Sequence, residues 1–110
     1  MSLRVLEDVR DELIRAGLVS NTSEFCKSWL GKSDCYIRTL RHNRLNASAD
    51  ALSTCASKLK HYAARLEQSD NSQHHTWSKL MRRHQSLCEQ AVERQAKAKW
   101  IEPDWGHVTA

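Results

Sequence analysis

Apolar residues recur at three- and four-residue spacing in five stretches of the chain, the period of a helix face and not of a strand. In the first stretch Leu3, Leu6, Val9 and Leu13 share one side, with Val5 and Ile14 at its margin and Glu7, Asp8, Asp11 and Glu12 opposite. This predicts a helix over 3–16, stopped by Gly17. Asn21 followed by Glu24 forms a capping box, in which each side chain satisfies an orphan backbone N–H. The second helix should run over 22–30, bury Phe25, Cys26 and Trp29 or Leu30, and break at Gly31. Ser33 is the expected cap of a third helix over 34–42, with Ile37 and Leu40 as its apolar pair and Asn43 left-handed at its end. After a loop over 44–47, Ser48 caps a fourth helix that reaches about Glu67, with Leu52, Cys55, Ala56, Leu59, Ala63 and Leu66 on one face. A polar break, Ser69-Asp70-Asn71-Ser72, precedes a fifth helix over 73–99. Pro103 closes any helical continuation, and 103–110 reads as a tail.

Composition narrows the class. With 110 residues, 40% hydrophobic and 27% charged, the chain is globular and of single-domain size. Three glycines and one proline are too few for the turns of an all-β sandwich, so the expectation is an all-α fold of five helices. No apolar run approaches the ~18 residues of a membrane span. The acidic N-terminal stretch has no apolar signal region, so a cytoplasmic location is expected. In that compartment Cys26, Cys35, Cys55 and Cys88 are expected to be reduced, and their lack of a CxxC pair argues against structural zinc. His84 and Cys88 are four apart, but spacing supplies no third ligand. No metal, no cofactor and no enzymatic activity are expected, because nothing resembles a nucleophile elbow or a paired-carboxylate site.

Charge is unevenly placed. Of the net +4, residues 21–48 hold five basic and two acidic groups, net +3. Two short helices joined by a glycine-containing turn, the second polar and basic outside, describe a helix-turn-helix. The stretch from Asn21 to Leu59 resembles the Cro/lambda-repressor-type (XRE-like) DNA-binding family. The likeness rests on the Asn21 cap, Glu24, Phe25-Cys26, Leu30-Gly31, Ser33, Ile37, Leu40, Asn46 and Ser48, and then Leu52, Ala56 and Leu59. The family's usual proline is Ala47 here, and the usual glycine after the second helix of the motif is Asn43.

The resemblance implies a lambda-repressor-like domain over 1–68 that reads double-stranded DNA. Its base-reading positions would be Asp34, Cys35, Arg38 and Thr39. Its phosphate positions would be Thr22, Ser23, Lys27, Lys32, Arg41 and Arg44. Tyr36 would either lie over the sugar-phosphate backbone or pack back into the turn. Physically, Arg38 suits a bidentate guanine contact and Thr39 a thymine methyl.

Residues 70–102 form a helical extension whose stripe, Trp77, Leu80, Met81, His84, Leu87, Cys88 and Ala91, needs a partner. It either folds back on the fourth helix or forms the interface of a homodimer, and the dimer suits a palindromic DNA site. The expected function is a sequence-specific transcriptional regulator associated with the nucleoid. The alternative is an antiactivator-like interaction module that binds another regulator.

Overall fold

The first helix illustrates how the pattern becomes structure. In the computed structural model, which describes residues 2–101, α1 (Ser2–Arg15) buries Leu6, Val9 and Leu13, leaves Asp8 and Asp11 to solvent and holds Glu7 and Glu12 half-buried. It ends on Gly17 at φ +78°, with Leu18 N–H donating to Leu13 O (2.9 Å) and Gly17 N–H to Ile14 O (3.0 Å). A left-handed glycine satisfies two orphan carbonyls of the last turn in this way. Val19 then enters the core.

Helix α2 (Thr22–Trp29) starts from the expected box with one variation. The Asn21 side chain accepts from Glu24 N–H (2.9 Å), but Glu24 accepts from Ser20 N–H (2.7 Å), one residue before the cap. Trp29 and Leu30 are both buried. The Lys58 ammonium, lying over the Trp29 ring, donates to Ser28 O (2.7 Å) at the helix's C-terminal end, where a cation is favoured.

The short helix α3 (Tyr36–His42) follows, then α4 (Ala49–Glu67), capped by Ser48 accepting from Ala51 N–H (3.1 Å). The long α5 (Ser72–Trp100) is capped by Asn71. The fold is all-helical, with five helices and no strand among the described residues. No helix among them is long and apolar enough to cross a membrane. The tail over 103–110 and its Pro103 stop lie outside the described residues.

Helix α5 folds back antiparallel along α4. Contacts at Glu67 with Arg82, Cys55 with Cys88, and Ala47 with Gln95 climb one helix as they descend the other. Small side chains at Ala51, Cys55, Ala63, Cys88 and Ala91 line the buried faces, which favours close approach of the two helices. The hydrogen bond with the Cys88 thiol, and then burial, hold the Cys55 thiol well above its usual range. The outer end is tied by two Arg82–Glu67 bonds (2.9 and 3.0 Å), and the guanidinium holds the Glu67 carboxyl below its ordinary value.

Met81, Cys88 and Ala91 of α5 thus join one continuous core with α1 to α4, centred on Leu6, Phe25, Leu52 and Leu59. The stripe that sought a partner finds α4 and α1 of its own chain. Met81, His84, Cys88 and Ala91 are buried there, while Trp77, Leu80 and Leu87 stay half-buried.

Candidate nucleic-acid interface

Helices α2 and α3 are joined by the turn 30–35. Gly31 takes φ +66°, and Lys32 N–H donates back to Cys26 O (3.0 Å). The expected Ser33 cap is not formed, and the helix begins at Tyr36, two residues later than predicted. Tyr36 N–H bonds to Ser33 O (3.1 Å) in a tight turn, and the Ser33 hydroxyl meets the Cys35 thiol (3.6 Å) instead of a helix N–H.

Within α3, Ile37 and Leu40 are buried at 2% and 7% exposure, at the i, i+3 spacing that places both on one face. Arg38, Thr39 and Arg41 are left exposed. The far end also differs from expectation. Asn43 has φ −93°, and the left-handed residue is Arg44 at φ +55°. Leu45 N–H to Leu40 O (2.8 Å) and Arg44 N–H to Arg41 O (3.3 Å) close the turn, so the reversal comes one residue further on.

A groove of about 410 Å³ runs between α1, the start of α2 and α3. It brings together Asp34, Arg38 and Arg41 from the second helix of the pair and its approach with Thr22 and Ser23 from the first. It also includes Arg10 of α1, which sequence reasoning did not single out because α1 reads as an acidic helix far away in the chain. Cys35 is half-buried beside the groove's residues. Hydrogen bonds from the Ser33 and Thr39 hydroxyls lower its thiol below the ordinary value. Lys27 and Arg44 are exposed but do not line this groove.

Several of these cations have acidic neighbours. Arg41 meets the Glu7 carboxylate of α1, Arg10 pairs with Asp11 (3.0 Å), and Lys32 pairs with Asp50 at the start of α4 (2.8 Å). Asp50 raises the Lys32 ammonium above its usual value. Arg38 makes no ion pair among the described residues, so its five-donor fork stays open.

Tyr36 reaches the cap of α4. Its hydroxyl accepts from Ser48 N–H (3.0 Å) and donates to Ser48 Oγ (3.2 Å). The neighbouring loop is pinned from both sides at Ala47, whose N–H donates to Ser2 Oγ (2.9 Å) and whose carbonyl accepts from Gln95 Nε2 (2.7 Å). A proline here would have no N–H to give. Among the described residues no three His, Cys, Asp or Glu side chains cluster to hold a metal ion.

Residues 6–101 match a family described as a family of unknown function (DUF6626). The chain belongs to that family. The match spans α1 from Leu6 onward and the whole of α2 to α5. No curated protein and no solved structure matches the chain.

Proposed function

We propose that this chain is a sequence-specific, double-stranded DNA-binding regulator with a lambda-repressor-like helix-turn-helix, in which α3 is the reading helix. The observation that carries this reading is the two-sidedness of α3. Ile37 and Leu40 hold it to the core, and Arg38, Thr39 and Arg41 stand free of it. In a major groove Arg38 offers a paired donor set to guanine and Thr39 a methyl to thymine. Asp34 accepts from a cytosine amino group and disfavours phosphate at the same spot. Thr22, Ser23, Lys27, Arg41 and Arg44 hold the backbone on either side. Two copies on a palindromic site, their reading helices one DNA turn apart, complete the proposal. Occupancy of such a site regulates transcription without a cofactor.

The test is selection of bound duplexes from a random pool, paired with a salt titration. Several phosphate contacts predict a fall in log affinity against log salt of about 0.9 per contact. A pool that yields no preferred sequence and no salt-dependent binding overturns the proposal.

A second reading, an interaction module that binds another regulator, is favoured by the pairing of Lys32 with Asp50 and Arg41 with Glu7, which trims the positive face. It predicts no duplex binding even at low salt.

A further inference from the structure

Helix α5 outruns α4. At ~1.5 Å per residue its 29 residues span ~43 Å, against ~28 Å for the 19 residues of α4. Because the two run antiparallel, the last turns of α5 pass the α4 N-terminus and lie against the loop that leaves α3. The Gln95–Ala47 bond fixes that register. Arg94 and Ala98 wall a cleft of about 240 Å³ with Asn46 of the loop and Ser2 of α1. Arg94 and Lys97 are three residues apart and share a face. Both are exposed, and neither has an ion pair among the described residues. Arg44 is two residues before Asn46, so cations from α5 continue the series that begins on α3 with Arg41.

We propose that Arg94 and Lys97 bind backbone phosphates of a duplex beside the segment read by α3, making the end of α5 part of the DNA interface. The inference rests on the reading of α3 given above. Charge complementarity selects the occupant. This end of the molecule carries Arg44, Arg94, Lys97 and Lys99, against Glu93 and Asp50, the latter already paired with Lys32, with Glu102 and Asp104 following in the sequence. A second copy of the chain docked there would oppose like charges, whereas a duplex presents one negative charge per ~1.7 Å of axis. Continuity is the second argument, since the same loop residue, Ala47, is gripped by α5 immediately after the reading helix.

The experiment is equilibrium binding over a salt series, using a random-sequence duplex and one recovered by pool selection. The parent chain is compared with the double variant Arg94→Gln/Lys97→Gln and with Lys79→Gln, an exposed cation toward the other end of α5. All three substitutions are at exposed positions, so the fold is kept, and thermal midpoints verify this. The double variant should lower the log–log slope by about 1.8, two contacts at ~0.9 each, while keeping its preference for the selected duplex. Lys79→Gln should leave the slope unchanged. A parent that binds duplex with the same slope as the double variant overturns this inference and leaves the reading of α3 standing. So does a per-charge effect equal to that of Lys79→Gln. A parent that binds no duplex overturns both.

Discussion

Replacing Arg44 by glycine should stabilise the fold while weakening DNA binding. Arg44 is at φ +55°, in company with Gly17 (+78°) and Gly31 (+66°). A side chain in that region costs on the order of 1–2 kcal/mol, because Cβ crowds the following carbonyl. Glycine removes the crowding but returns about 0.5–1 kcal/mol through the greater freedom of the unfolded chain. The Arg44 side chain is exposed and has no ion pair among the described residues, so no tertiary contact is lost. The net expectation for Arg44→Gly is a gain of roughly 0.5–1 kcal/mol, a few degrees in Tm for a chain of this size. Asn43 has φ −93°, where glycine brings no relief, so Asn43→Gly should cost about 0.5–1 kcal/mol. Urea denaturation with unchanged m-values measures both. In the same Arg44→Gly protein the salt slope for duplex binding should fall by about 0.9. Two substitutions of the same sign, or a destabilised Arg44→Gly, would refute the placement of the left-handed residue.

Three further outcomes follow from the core. Ala47→Pro removes the N–H that Ser2 Oγ accepts in a buried setting and should cost about 1–3 kcal/mol by urea denaturation; adding Ser2→Ala should change stability less in that background than in the parent. His84 is buried with neither ring nitrogen hydrogen-bonded among the described residues, and burial lowers its pKa below the ordinary 6.5, with Arg83 acting the same way and Glu12 and Asp8 of α1 opposing. The unfolded ring therefore binds the proton more tightly, so stability should be full above 6.5 and decline as pH falls below it. His84→Leu should flatten that part of a urea-midpoint profile, and a parent that gains stability on acidification would contradict this account. A chain ending at Leu66 loses Met81, Cys88 and Ala91 from the core and exposes Leu59 and Cys55. It should show no cooperative urea transition, and a sharp one would mean that α1 to α4 fold alone.

Four helices were legible because their apolar residues keep a helical period and their ends carry recognisable chemistry: Gly17, Asn21 with Glu24, Ser48, and the polar break over 69–72. The ends of α3 were not. Ser33 has the composition of a cap, but its hydroxyl is taken by Cys35. Asn43 has the preference for a left-handed site that Arg44 actually fills, and a one-residue shift in where a helix reverses leaves no mark in the sequence. The stripe on α5 was legible as a buried face, yet the same spacing serves a twin chain or a neighbouring helix. Met81, His84, Cys88 and Ala91 of the stripe are buried within this chain, while Trp77, Leu80 and Leu87 stay half-buried. The exposed face of α3, with Arg38, Thr39 and Arg41, is where periodicity placed it. Arg10 escaped because its place in the groove depends on how α1 crosses α3. The grip of Ser2 and Gln95 on Ala47 joins residues 45 and 48 positions apart, which no local pattern encodes.

The claim that α3 reads duplex is tested most directly by Arg38→Ala, measured against a pool-selected duplex and a random one at a single salt concentration. The account predicts that the variant loses about 1–3 kcal/mol on the selected duplex and relaxes its choice at one base position, with a far smaller change on the random duplex. Equal affinities of parent and variant on both duplexes would contradict it.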